Sequence, residues 1–144
     1  MLNCIHADAQ LGQNVKVGNF TTICEDVVIG DGCDIGNNVT IFPGARIGSG
    51  VKIFPGAVVA AVPQDLKFHG ENSTVHIGDG TTLRECVTVH RGTASKGQTV
   101  VGSNCLIMAY THIAHDCRLG NNIIISNATQ LAGEVVIDDN AVIG

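Results

Sequence analysis

Residues 23–53 read ICEDVVIGDGCDIGNNVTIFPGARIGSGVKI, and an isoleucine stands at every sixth position of this stretch. Followed outward, the same spacing runs from Ile5 to Ile143, and 21 of its 24 positions hold an aliphatic residue. The three exceptions are Asp65, Glu71 and Ser95. A period of six matches neither the repeat of a helix, about 3.6 residues, nor the two-residue alternation of a hairpin sheet. The spacing therefore predicts a solenoid of short strands.

A short strand with its aliphatic side chain inward, followed by a tight corner, accounts for this period. Glycine often follows the aliphatic residue, as at Gly30, Gly36 and Gly48, and such residues suit corners. Three sides close a triangular coil of 18 residues, so 144 residues predict about eight coils. Coils stacked about 4.8 Å apart would give a prism roughly 38 Å long. The expected fold class is all-β, a parallel β-helix of hexapeptide repeats that forms one domain over residues 1–144.

Two stretches without the core pattern are predicted to project as loops. They are residues 63–73, PQDLKFHGENS, and residues 91–98, RGTASKGQ. Insertions in solenoids lie on the outside and often form the binding surface, so both loops are expected to approach a ligand or a neighbouring subunit. The sequence ends within a hexad at Gly144 without a polar cap, which favours a fragment of a longer protein over an end covered by another chain.

Charge and hydropathy argue against several classes of function. The net charge is −5 and the eight basic residues are scattered, so binding to nucleic acid is not expected. The apolar runs are far shorter than the roughly 18 residues of a membrane span, and a secretion signal is not evident. The six cysteines form no C-x-x-C pair and are predicted to be small buried side chains in a reducing compartment. A cytoplasmic location is the expectation.

The densest polar cluster within the regular repeats is THIAHDC at residues 111–117. The repeat turns Ile113 inward, so His112, His115 and Asp116 should point outward or lie at a corner. A histidine beside a carboxylate on a rigid scaffold can serve as a base near neutral pH. Two histidines on a solvent-exposed turn are the simpler alternative.

Neither a metal nor a cofactor is expected. Three metal ligands should align at multiples of 18 residues, yet His90 precedes His112 by 22 residues and His115 by 25. The glycines belong to the repeat, because they form neither a P-loop nor a dinucleotide-binding motif.

Four segments resemble the UDP-N-acetylglucosamine 3-O-acyltransferase family of lipid A biosynthesis, within the hexapeptide-repeat left-handed β-helix acyltransferases. They are QDLK at 64–67, RECVTVHRG at 84–92, HIAHDC at 112–117 and NATQLAG at 127–133. The resemblance spans essentially the whole chain and implies a left-handed coil, which the repeat alone does not fix. It also implies transfer of a 3-hydroxyacyl chain from acyl carrier protein to the 3-hydroxyl of UDP-N-acetylglucosamine, the first step of lipid A biosynthesis. The family forms homotrimers with active sites between the prisms.

The resemblance also implies roles for individual residues. His115 would be the general base toward the sugar 3-hydroxyl, and Asp116 would orient it. The backbone N–H of Gly133 would donate to the developing oxyanion, a large contribution in reactions of this kind. The residues implied to contact the nucleotide sugar are Gln64, Asp65, Lys67 and His112.

The sequence departs from the family in two respects. Glu134 stands where the family often has histidine, and the family's further coils and C-terminal helical domain are absent from this chain. Other interpretations therefore stay open: an N-acyltransferase of the same pathway, a small acetyl-CoA-dependent acetyltransferase, a zinc protein like the γ-type carbonic anhydrases, or a catalytically incomplete fragment or scaffold.

Overall fold

The computed structural model describes residues 2–144, which form 21 short strands joined by corners, with no helix in this range. The strands build three parallel sheets of seven, and consecutive strands along the chain belong to different sheets. The first sheet contains β1 (Cys4–Ile5), β4 (Thr22–Ile23), β7 (Thr40–Ile41), β10 (Val58–Ala61), β13 (Thr88–His90), β16 (His112–Ile113) and β19 (Gln130–Leu131). The second contains β2 (Gln10–Leu11), β5 (Val28–Ile29), β8 (Ala45–Ile47), β11 (Thr74–Ile77), β14 (Gln98–Val101), β17 (Arg118–Leu119) and β20 (Val136–Ile137). The third contains β3 (Lys16–Val17), β6 (Asp34–Ile35), β9 (Lys52–Ile53), β12 (Thr82–Leu83), β15 (Leu106–Ile107), β18 (Ile124–Ile125) and β21 (Val142–Ile143).

The inward aliphatic residues stack directly on one another from coil to coil. Ile23 pairs with Ile41 in the first sheet, 18 residues later, and Ile41 is fully buried. The middle coils bury these side chains almost completely, whereas Ile5 in the first coil is 40% exposed. Identical side chains in register form a narrow core, which explains the nearly uniform use of isoleucine, valine and leucine. The predicted all-β, left-handed parallel β-helix is confirmed.

The prism has seven coils and not the predicted eight. Neighbouring inward residues are normally six positions apart, but Val59 and Ile77 are 18 apart, and Val89 and Val101 are 12 apart. The two loops therefore remove 18 residues from the repeat, which is the length of one coil. Both loops leave the core where the sequence predicted them.

Many corners place a residue in the left-handed region of backbone space, three positions after an inward side chain. Asn38 has a φ of 55°, Gly50 of 65° and Asp116 of 62°. Glycine and asparagine adopt this conformation at low cost, which accounts for their frequency in the repeat. Asp116 thus occupies a corner of the prism as well as a place in the polar cluster.

One edge of the prism, between the first and second sheets, gathers the irregular parts of four successive coils. It comprises residues 62–73, 91–97, 114–117 and 132–135, and we call it the loop edge. The coils are held together there by backbone hydrogen bonds, such as those from Arg91 N–H to the Ala61 carbonyl and from Glu134 N–H to the His115 carbonyl. Side chains far apart in sequence meet along this edge.

The six cysteines are free thiols. Cys33, Cys105 and Cys117 are buried in the inward positions that the repeat gives them. Within residues 2–144, a helix long and apolar enough to cross a bilayer is not found.

Candidate functional site

A cleft of about 340 Å³ opens on the loop edge. Five of the seven residues that the sequence singled out line it: Gln64, Asp65, His112, His115 and Gly133. The other lining residues are His90, Ala114, Leu131 and Ala132. The coil geometry brings these residues together because strands β10, β13, β16 and β19 lie side by side in the first sheet and each enters the loop edge next.

His115 and Asp116 form a hydrogen-bonded pair at the floor of this cleft. His115 Nδ1 lies 2.8 Å from Asp116 Oδ2, and the Asp116 side chain is completely buried. An ionised carboxylate can only accept, so the proton of the neutral imidazole stands on Nδ1. This tautomer leaves Nε2 with a free lone pair.

The second loop holds the Asp116 carboxylate from the other side. Oδ1 accepts hydrogen bonds from the main-chain N–H groups of Thr93, at 3.0 Å, and Lys96, at 3.2 Å. Oδ2 accepts one from the Thr93 hydroxyl, at 2.5 Å, besides that from His115. Burial raises the pKa of the Asp116 carboxyl, but these four hydrogen bonds outweigh it and hold the pKa below its usual value. Asp116 is therefore an anion at neutral pH.

The free nitrogen of His115 faces the first loop. Asp65 Oδ2 lies 3.6 Å from His115 Nε2, a distance that leaves room for a bridging hydroxyl group but forms no direct hydrogen bond. The Asp65 carboxylate is itself fixed, since its Oδ1 accepts the Lys67 N–H at 2.9 Å. A hydroxyl bound here would meet a base and a hydrogen-bond acceptor together.

Gly133 lies against the opposite face of the same histidine. A Cβ atom added at Gly133 would collide with the Cε1 and Nε2 atoms of His115. The absence of a side chain at this position lets the imidazole occupy its place beside Asp116. Glycine at position 133 is thus a steric requirement of the site.

Gly133→Ala is expected to destabilise the fold only while the His115 ring is present. Forcing a methyl group into a filled space costs about 1–3 kcal/mol. In a His115→Ala background the space is empty, and we expect the same substitution to change the free energy of unfolding by less than about 0.5 kcal/mol. Urea unfolding of the wild type, the two single variants and the double variant measures this coupling. Equal costs in both backgrounds would contradict the contact.

His112 belongs to a second hydrogen-bonded group in the cleft. Its Nδ1 lies 2.7 Å from the Thr88 hydroxyl, and its ring meets that of His90 edge to face with 4.6 Å between the ring centres. The sequence analysis did not assign His90 to the site, because spacings of 22 and 25 residues suggested misalignment. That argument was wrong: the second loop lengthens this coil to 24 residues, since Thr88 pairs with His112.

His90 is held neutral by its surroundings. It is 7% exposed, and burial, together with the neighbouring His112 and His115, lowers its pKa to about 4. Burial lowers the pKa of His112 as well. Two histidines of the cleft are thus uncharged at neutral pH, which keeps their rings available as neutral hydrogen-bonding groups.

The buried His90 should make the fold lose stability as the pH falls from about 6.5 to about 4. In that window the unfolded chain binds a proton at this position that the folded chain excludes, so the free energy of unfolding rises with pH. Between pH 7.5 and pH 4.5 the loss attributable to His90 is about 2.5 kcal/mol, from the printed pKa of about 4 and an ordinary value of about 6.5.

Urea unfolding at both pH values, for the wild type and His90→Asn, measures this contribution. The pH-dependent difference should shrink by that amount in the variant. The same substitution at the exposed His69 is the matched control and should leave the difference as in the wild type. An equal loss in wild type and His90→Asn would contradict the assignment.

Two residues considered from the sequence lie outside the cleft lining. The exposed Lys67 contributes its N–H to Asp65, and its predicted contact with a nucleotide sugar stays a prediction. Glu134 is exposed at the loop edge, where its Oε1 accepts a hydrogen bond from the Ser95 hydroxyl at 2.5 Å. Glu134 thereby ties the second loop to the following coil.

No group of three or more His, Cys, Asp or Glu side chains within residues 2–144 is arranged to hold a metal ion. Although three histidines approach the cleft, one faces Thr88, one faces Asp116, and the third is packed edge-on against its neighbour. The arrangement is that of a proton-transferring pair beside an open cleft.

Comparison with known proteins agrees with this architecture. Residues 8–43 and 98–132 match the family described as bacterial transferase hexapeptide (six repeats). A curated acyl-[acyl-carrier-protein]–UDP-N-acetylglucosamine O-acyltransferase from Thermodesulfovibrio yellowstonii (strain ATCC 51303 / DSM 11347 / YP87) is 51% identical over 80 residues, 55% of this chain and 31% of the relative.

Solved structures match the chain over nearly its full length. A UDP-N-acetylglucosamine acyltransferase from Bacteroides fragilis 9343 superposes with a TM-score of 0.97 at 53% identity, covering 98% of this chain and 55% of the other. The corresponding protein from Acinetobacter baumannii gives a TM-score of 0.98 at 37% identity, covering 99% of this chain and 56% of the other. The chain spans about half the length of these solved relatives.

Proposed function

Because this chain is a hexapeptide-repeat protein with the fold of UDP-N-acetylglucosamine acyltransferases, we propose that it transfers a 3-hydroxyacyl chain from acyl carrier protein to the 3-hydroxyl of UDP-N-acetylglucosamine. This is the first step of lipid A biosynthesis. The observation that carries the proposal is the His115–Asp116 pair, with its free Nε2 directed into a cleft between Gly133 and the first loop. The curated relative and the solved relatives carry names for this chemistry.

In the proposed reaction His115 acts first as base and then as acid. Nε2 removes the proton from the sugar 3-hydroxyl as the oxygen attacks the thioester carbonyl. A carbon–oxygen bond forms, the tetrahedral intermediate collapses, and the carbon–sulfur bond breaks. The imidazolium returns its proton to the leaving thiolate of the carrier. Asp116, an anion fixed on Nδ1, stabilises the imidazolium between these steps.

The negative oxygen of the tetrahedral intermediate needs a donor within the cleft. The backbone N–H of Gly133 is proposed for this role, on the evidence that Gly133 lies directly against the reacting edge of the imidazole. A preorganised main-chain donor of this kind is worth roughly 10²–10³-fold in rate. The same glycine would thus set both the place of the base and the place of the oxyanion.

The first loop is proposed to bind the nucleotide sugar. Asp65 lies opposite Nε2 at the distance that a bridging hydroxyl requires, and Gln64 lines the cleft beside it. On the far wall, His112 is neutral and hydrogen-bonded to Thr88, so its second nitrogen can contact the sugar. Lys67, exposed on the same loop, is proposed to reach the ligand once it is bound.

We propose that the chain works as a homotrimer in the cytoplasm. Leu66, at the tip of the first loop between Asp65 and Lys67, is 95% exposed, which favours contact with another molecule. A second prism against the loop edge would close the open side of the cleft. Six free thiols are in keeping with a reducing compartment.

The test is acyl transfer by the purified chain, given UDP-N-acetylglucosamine and 3-hydroxyacyl carrier protein, with release of the free carrier thiol followed over time. Turnover is expected with this pair. The analogue that lacks the 3-hydroxyl should give no thiol release, and acetyl-CoA should not replace the acyl carrier protein. Release with acetyl-CoA alone would instead support a small acetyltransferase. A folded chain that is inactive with both donors would contradict the proposal.

A further inference from the structure

We infer that Thr93, on the second loop, is a positioning residue that holds the Asp116 carboxylate ionised and aligned against His115. The inference deepens the proposed function and rests on it for its catalytic meaning. Thr93 itself lies outside the lining of the cleft, so it acts through Asp116.

Thr93 is the one residue that contacts both oxygens of the carboxylate. Its N–H donates to Oδ1 at 3.0 Å and its hydroxyl donates to Oδ2 at 2.5 Å. Donors on both oxygens fix the carboxylate plane, and His115 shares Oδ2 with the Thr93 hydroxyl. The orientation of the imidazole is therefore set by a residue 23 positions away from Asp116.

The loop is built to present these donors. Thr93 is 7% exposed, and its hydroxyl accepts the Ser95 N–H at 3.2 Å while donating to Asp116. Its carbonyl accepts the Gly97 N–H at 2.8 Å, which closes the loop into a compact turn. Because the hydroxyl and the main chain of Thr93 are both bonded, the side chain has a single orientation. The Asp116 N–H is also bonded, to the Thr99 hydroxyl at 2.9 Å.

The charged and titratable groups around Asp116 do not take over this role. Lys96, Arg118, Cys117 and Glu134 share a second cleft with it, of about 330 Å³, on the side away from His115. The hydrogen bond from Lys96 to the carboxylate comes from the main chain.

On the other side of the imidazole lie Asp65, at 3.6 Å from Nε2, and the neutral His90. The direct side-chain bonds to the carboxylate are those of Thr93 and His115 alone among the residues described. The hydroxyl of Thr93 is therefore the group whose removal should change Asp116.

The decisive experiment compares Thr93→Val, which keeps the shape but loses the hydroxyl, with Thr93→Ser, which keeps the hydroxyl. The Asp116 carboxyl carbon is titrated by ¹³C NMR in each protein. The loss of one hydrogen bond to a buried carboxylate should move the titration midpoint upward by about one pH unit in Thr93→Val. In Thr93→Ser it should stay at the wild-type value. Thermal unfolding of the three proteins establishes that each is folded.

Turnover supplies the second readout. In Thr93→Val kcat should fall about tenfold while KM for the nucleotide sugar changes less than twofold, and Thr93→Ser should restore kcat. An unchanged Asp116 titration in the folded Val variant overturns the inference, with or without turnover. A shifted titration with undiminished kcat also overturns the positioning role. If the wild type itself shows no turnover while the titration shifts, Thr93 still holds the carboxylate and it is the proposed function that fails.

Discussion

His115→Ala should reduce kcat/KM by about 10²–10⁴-fold, the range that a general base contributes. This corresponds to about 3–5 kcal/mol of activation free energy. The loss follows from the geometry, because Nε2 is the free ring nitrogen that faces the cleft beside the Asp116 anion. The assay is release of the carrier thiol at saturating acyl donor, with the concentration of UDP-N-acetylglucosamine varied.

The fold should tolerate this replacement, because His115 lies at a corner and its ring is outside the stacked core. We expect the urea midpoint of His115→Ala to stay close to that of the wild type. His6→Ala is the matched control: the same substitution at an exposed histidine of the first coil, which should leave turnover unchanged. A folded His115→Ala protein with wild-type turnover would remove His115 from the mechanism and leave the proposed reaction without its base.

Ile107→Ala should destabilise the protein by about 2–5 kcal/mol. Ile107 is fully buried on β15, and it stacks between Leu83 of the preceding coil and Ile125 of the following one. Removing three carbons at this place leaves a void that rigid neighbouring coils cannot close. Since whole domains are stable by only about 5–15 kcal/mol, the effect is large. Equilibrium urea unfolding gives the free energy directly.

Ile5→Ala is the control for that measurement. It makes the same chemical change at an equivalent position of the repeat, but Ile5 is 40% exposed in the first coil. Less apolar area returns to water and no enclosed void forms, so the cost should stay below about 1 kcal/mol. Equal losses at the two positions would contradict the view that the middle coils carry the packing energy.

The fold could be predicted from the sequence because the six-residue period is itself the structure. Each inward residue contacts its equivalent in the next coil, so a local pattern contains the long-range contacts, as with Ile23 and Ile41. The count of coils could not be predicted from length alone. An irregular stretch such as residues 63–73 shows that the repeat has stopped, but not how many residues leave the core.

The site was predictable in part. His115 and Asp116 are adjacent in sequence, and a histidine beside a carboxylate is a pattern with chemical meaning. Thr93 gave no such signal, because its bonds to Asp116 depend on how the second loop folds back. The place of His90 depended on the same loop, whose extra residues bring it opposite His112.

The loop edge has a consequence for how this scaffold can diversify. Two faces and two edges of the prism are constrained by stacking, while the loop edge carries substitutions and insertions that leave the inward ladder undisturbed. The segments 62–73 and 91–97 both depart from and return to the same pair of sheets, so each behaves as an exchangeable cassette with fixed ends. Relatives could thus acquire new substrate ranges by trading cassettes, with no change in the architecture that spaces them. For protein engineering, the same property offers a rigid rack on which a recognition loop is replaced without redesigning the core.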